Sequence, residues 1–208
     1  MVYLYLLATL LFVFGIKRLT TVRTCAQGNR LSELGMLVAV ISVLLISDSV
    51  NWTVVIAGMA VGGAVGLFLA KKTPTTQMPE LVAALNGFGG VASALVAIGD
   101  VLTNPILNGS ALSIFSIGLV PAIATPIAIL IGMVTLTGSF VAYGKLSGKN
   151  FSHPLSGGAR HVLHALLVLV AITVSVWMVT AESSSSMTTA MLLLAAIAAV
   201  LGLSLIHI

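Results

Sequence analysis

The amino-acid sequence predicts an all-α protein, a polytopic transmembrane helix bundle of about seven helices with its N-terminus outside. Three observations carry that expectation. Of 208 residues, 59% are hydrophobic and only 7% charged, with a mean hydropathy of +1.18. So few charges cannot cover a globular surface. Apolar stretches of near-bilayer length recur along the chain, and the loops between them alternate in charge.

The stretches run Val2–Ile16, Leu34–Ile46, Thr53–Ala70, Pro79–Ile98, Pro121–Tyr143, Val162–Thr180 and Met187–Gly202. The first has no basic leader region and no convincing cleavage site, so it is expected to be a retained span rather than a signal peptide. The second is short and reaches bilayer length only by taking in Leu31–Glu33 and Ser47. Lys17, Arg18, Arg23 and Arg30 follow the first span, Lys71 and Lys72 the third, and Lys145, Lys149 and Arg160 the fifth. The other loops carry Asp48, Asp100 and Glu182 instead. Under the positive-inside rule, the basic loops are cytoplasmic and the N-terminus external. The net charge of +4 is therefore topology, and no nucleic-acid partner is expected.

The lone cysteine, Cys25, lies in a basic loop and excludes a disulfide framework. Arg23 nearby could activate it, but an ordinary surface thiol accounts for it. In the third span Gly58, Gly62 and Gly66 recur every four residues, with Gly63 beside them. Such a ridge lets another helix approach closely, and helix packing is its expected role. The fourth span offers a similar narrow face, Asn86–Gly90–Ala94, on which Gly90 is also assigned to packing.

Asn86 is the informative residue. It sits about a third of the way into an apolar span, where water is absent and an unpaired amide is costly. An interhelical amide bond contributes only about 0.6–2 kcal/mol, which is a weak reason to bury one, so a polar pathway competes evenly with packing. Pro79 suits the first helical position and Glu80 the first turn, where the helix dipole favours an anion. That explains Glu80 without function, although its place at the cytoplasmic mouth would also let it collect protons. Thr135, Thr137 and Ser139 end the fifth span; hydroxyls there either bond back to their own helix or line a polar path. Asp100 is an exit-side proton acceptor or a helix-end loop acid. His161 and His164 have a metal-compatible spacing but no Cys, Asp or Glu beside them, so they are expected to be interfacial anchors. No metal is expected.

Several motifs together carry a resemblance. Met78-Pro79-Glu80-Leu81-Val82-Ala83-Ala84-Leu85-Asn86-Gly87-Phe88 resembles the signature of the β subunit of proton-translocating NAD(P) transhydrogenase. Gln27-Gly28-Asn29, Gly62-Gly63-Ala64-Val65-Gly66 with Ala70-Lys71-Lys72, and Thr135–Leu146 are similar to other stretches of that family in order and spacing. The resemblance implies the membrane part of an oxidoreductase complex that couples hydride transfer between NAD(H) and NADP(H) to proton translocation. It implies a multi-pass protein of the bacterial inner membrane, in contact with lipid and in a dimer of αβ units. The α subunit would supply an intramembrane histidine, because some members carry histidine at position 86 whereas an asparagine cannot titrate. The proton path would then involve Asn86, Ser139, Thr135, Glu80 and Asp100.

Residues 1–202 are expected to form an incomplete proton-translocating membrane domain. Neither a dinucleotide fingerprint nor a soluble α/β stretch is present, so no cofactor and no catalytic residue is expected here. NADP(H) and NAD(H) belong to the complete enzyme and to the NADP-binding domain of a full β chain. Pro121 and Pro126 stand where some relatives place a carboxylate, and they imply a kinked or late-starting fifth helix, with Leu112–Leu119 as an interfacial or re-entrant lead-in. Leu203-Ser204-Leu205-Ile206-His207-Ile208 equals the translation of a transposase adapter used in sequencing libraries. Residues 203–208 are therefore expected to be an adapter-derived tail, with an expression boundary as the alternative. Two other functions compete. A stand-alone channel or secondary transporter needs an intramembrane charge or inverted repeats, and neither is evident. A purely structural membrane subunit would account for the glycine ridges.

Overall fold

The computed structural model describes residues 2–46, 50–104, 113–149 and 158–205. Ser47, Asp48, Leu112 and His207 lie outside the described residues. Every regular element described is helical: α1 Val2–Leu19, α2 Cys25–Ile46, α3 Trp52–Lys72, α4 Met78–Thr103, α5 Ile114–Ile117, α6 Leu119–Leu146, α7 Gly158–Thr180 and α8 Ser184–Leu205. A single 3₁₀ turn, Thr75–Gln77, leads into α4.

Each predicted span coincides with a helix, and most helices outrun the apolar stretch that announced them. α2 begins at Cys25, far ahead of Leu34, because a helix can continue through polar residues at the membrane surface once its core segment is formed. Among the described residues, six helices are long and apolar enough to cross a membrane: those within Cys25–Leu45, Trp52–Lys72, Thr75–Thr103, Leu119–Leu146, His161–Thr180 and Ser184–Ser204. The 18-residue α1, closed by Lys17 and Arg18, stands outside those six.

The chain divides into two compact units, residues 1–68 and 69–208. In the first, α1 and α2 form a hairpin closed by small residues. A Cβ on Gly28 would lie 2.7 Å from the Gly15 carbonyl oxygen, and one on Gly35 would lie 3.2 Å from Leu11. Arg18 donates to Gln27 Oε1 at 2.8 Å and Asn29 to Glu33 Oε1 at 2.6 Å, holding the basic turn together.

In the second unit α6 is central, packed along α4 on one side and α8 on another, while α8 also packs on α7. The core combines Ala97, Val101, Ile129, Met178, Met191 and Leu194. Outward-facing Val82, Leu95, Ile131 and Val176 remain exposed, as expected where lipid is the solvent. The fifth span starts with a break rather than a kink. Gly118, at φ 141°, separates the short α5 from α6, a backbone conformation natural to glycine. Pro121 then falls in the first turn of α6, where its missing N–H leaves no bond unmade, and Pro126 is carried inside a continuous helix.

Candidate functional site

The polar groups of α4 and α6 meet beside a close backbone contact in the second unit. Gly87, Gly90, Ala94, Ala97 and Val101 form the buried stripe of α4, at the spacing that keeps one face of a helix against a neighbour. Thr125, Gly132 and Ser139 of α6 lie against α4. A Cβ on Gly90 would sit 2.7 Å from the Gly132 carbonyl oxygen, and one on Gly132 would sit 2.5 Å from the Gly90 carbonyl oxygen. Backbone therefore touches backbone, which only glycine permits.

Asn86 lies one turn from that crossing. Its Nδ2 donates to Ser139 Oγ at 2.9 Å, joining two helices 53 residues apart in sequence. Ser139 is buried, at 7% exposure, whereas Asn86 is exposed on the open edge of α4. The rest of the amide, including its carbonyl oxygen, has no partner among the described residues, so it can still engage a further group.

The other hydroxyls of α6 divide. Thr137 donates to Met133 O in its own helix, at 3.1 Å, and takes no part in the site. Thr135 turns its Cβ and Cγ2 towards Gly90, 2.8 and 2.9 Å from where a Cβ would be, and makes no hydrogen bond among the described residues. Glu80, at the basic-loop end of α4, is half-buried. It lines a cavity of about 430 Å³ with Gln77, Ala84, Phe88, Phe140 and Tyr143. Phe88 and Phe140 close that cavity edge-to-face, with centroids 5.8 Å apart. Asp100 lies at the other end of α4, in a second cavity. The structure thus brings Asn86, Ser139 and Thr135 together around Gly90, and puts Glu80 and Asp100 at opposite ends.

The third-helix glycines behave differently. Among the described residues α3 has no buried residue, and a Cβ on Gly58, Gly62, Gly63 or Gly66 would meet none of them within 4 Å. Gly132 does the close packing instead, isolated between Ile131 and Met133 with no repeat to mark it. His164 contacts Ser204, within the segment read from the sequence as an adapter-derived tail. Its Nε2 lies 2.7 Å from Ser204 Oγ and 3.1 Å from Ser204 O, linking α7 to α8. No cluster of three or more His, Cys, Asp or Glu side chains that could hold a metal occurs among the described residues.

Comparison with known proteins adds the family. A model of the NAD(P) transhydrogenase beta subunit matches residues 1–208. The chain belongs to the NAD(P) transhydrogenase beta subunit family. It is 32% identical over 160 residues, 76% of its length, to the NAD(P) transhydrogenase subunit beta of Rhodospirillum rubrum. The same protein from a named strain of that species matches equally. The chain spans about a third of the length of these relatives, 33%. Its long apolar helices among the described residues fit a multi-pass membrane protein of that family.

Proposed function

We propose that this chain is membrane machinery of a proton-pumping transhydrogenase, in which hydride transfer between NAD(H) and NADP(H) drives, or is driven by, proton translocation. The observation that carries the reading is the Asn86–Ser139 hydrogen bond, 2.9 Å long between α4 and α6. It places an amide with spare hydrogen-bonding capacity at a fixed point inside the membrane. Neither group titrates in the physiological range, so their work is to hold and orient. Ser139 fixes the amide, and the free side of Asn86 orients water or the imidazole of an α-subunit histidine, which carries the proton. Glu80 extends the path towards the basic-loop side, which faces the cytoplasm of a bacterial inner membrane, and Thr135, beside Gly90, lies on the other side of Asn86. NAD(H) and NADP(H) bind to soluble domains of the complete enzyme, a dimer of αβ units.

The test uses the complete αβ enzyme in proteoliposomes. Asn86→Leu should leave hydride exchange between bound nucleotides intact while proton pumping falls by at least ~10-fold, the loss of an orienting group being smaller than the ~10²–10⁴-fold typical of removing the proton-transferring group itself. Undiminished pumping by Asn86→Leu would remove Asn86 from the path.

A further inference from the structure

A groove runs between α6 and α7, made of two adjoining cavities of about 380 and 340 Å³ that share Pro126, Ile127, Ser175 and Val176. No residue of α4 lines it. Both helices pack on α8 rather than closely on each other, and α5 bridges them at one end. We propose that the groove is a phospholipid site, holding one acyl chain of a phosphatidylethanolamine from the leaflet on the acidic-loop side. The site depends on the chain spanning a membrane and not on the role given to Asn86.

The groove is one leaflet long. Its outer end lies at Phe115, Leu119 and Thr180, where α6 begins and α7 ends. Its inner end lies at Ile131 and Ile172, close to the middle of these 28-residue and 23-residue helices. At about 1.5 Å per residue, the walls run ~18 Å along α6 and ~12 Å along α7. Half of a hydrocarbon core about 30 Å thick is ~15 Å. That is the reach of an acyl chain, whereas a spanning helix needs a face through both leaflets.

The walls suit hydrocarbon better than a helix. Ile123, Ile127, Ile131, Ile172 and Val176 stand at the rim, each 49–59% exposed. Helices that meet in a membrane do so over small residues, as Gly90 and Gly132 do here. Branched side chains hold a second helix off, while a flexible chain fills the space between them and restores the dispersion contacts an empty groove forfeits. The hydroxyls of the lining belong to Ser175 and Thr180. Both donate to their own helix, to Ala171 O at 2.7 Å and to Val176 O at 2.9 Å. The lining thus offers a ligand no hydroxyl proton.

Charge at the outer end selects the headgroup. Glu182 stands exposed two residues past Thr180, and the cations nearest this helix pair in sequence, Lys145, Lys149 and Arg160, all belong to its other end. The anionic headgroup of phosphatidylglycerol meets a carboxylate there, whereas the ammonium of phosphatidylethanolamine meets an opposite charge.

Photolabelling tests the site. The complete αβ enzyme is reconstituted in vesicles of phosphatidylethanolamine and phosphatidylglycerol, with a trace of phosphatidylethanolamine carrying a diazirine in one acyl chain. After illumination, label should concentrate in Leu119–Ile131 and Ile172–Thr180, at least ~10-fold above the mean of the other spans, the ratio for a site favoured by about 1.4 kcal/mol. At a fixed trace of probe, a larger share of unlabelled phosphatidylethanolamine in the vesicle should lower that labelling. Val176→Trp, which fills the groove, should lower it to the mean of the other spans. Val162→Trp, exposed at the other end of α7, should leave it unchanged. The unsubstituted enzyme carries the test if Val176→Trp fails to assemble. Labelling no denser than elsewhere would mean that a further helix covers the groove or that lipid only passes along it. The lipid site would then fall with the Asn86 reading untouched. Dense labelling that does not respond to the phosphatidylethanolamine share would overturn the headgroup assignment.

Discussion

Thr135, Thr137 and Ser139 share one helix and face three different environments. Ser139 accepts from Asn86, Thr137 donates to its own backbone, and Thr135 presents its methyl to Gly90. Their substitutions should separate accordingly. Ser139→Ala removes an interhelical bond and should cost about 0.6–2 kcal/mol in thermal unfolding of the purified protein. Thr137→Val loses only a bond to Met133 O and should stay within about 0.5 kcal/mol. Equal losses would show that the Asn86 bond contributes nothing between helices. Asn86 was legible in the sequence because a lone amide in an apolar span stands out. Thr125 was not, since a hydroxyl beside Pro126 looks like any other helical threonine, and only the fold shows that it lies against α4. His164 was legible as a polar residue near a helix start, but its partner Ser204 lies 40 residues on, and no local pattern announces that distance.

At the scale of elements, spans and their order were readable because hydropathy and loop charge repeat the same signal. Pairing was not. The α3 glycines and Gly90 all read as packing positions, but nothing announced that the partner of Gly90 would be Gly132. Periodicity describes one helix, whereas packing requires two faces to match. Gly90→Ala or Gly132→Ala should therefore destabilise the protein by about 1–3 kcal/mol, the usual result of overfilling a packed site. Gly58→Ala, whose Cβ meets nothing within 4 Å, should be neutral or gain up to about 1 kcal/mol from helix propensity. Thermal melts of the three variants in one detergent distinguish these outcomes. A large loss at Gly58 in the assembled αβ enzyme alone would locate a partner helix on the α3 ridge.

For the whole molecule, charge is the organising variable: all nine Lys and Arg residues fall in three alternate loops or at the helix ends beside them. Cys25, exposed in the first of these regions, reports the resulting orientation. A membrane-impermeant maleimide should modify it in inside-out vesicles and not in right-side-out ones; the reverse pattern would invert the topology. The glycine crossing also has a mechanical meaning. Two backbones already in contact cannot approach further, and parting them would open an empty gap in a close-packed interior. α4 and α6 are thus free to slide or roll against each other but not to breathe. A stroke delivered to either helix is passed to the other as shear, with the Asn86–Ser139 bond a single turn from the pivot.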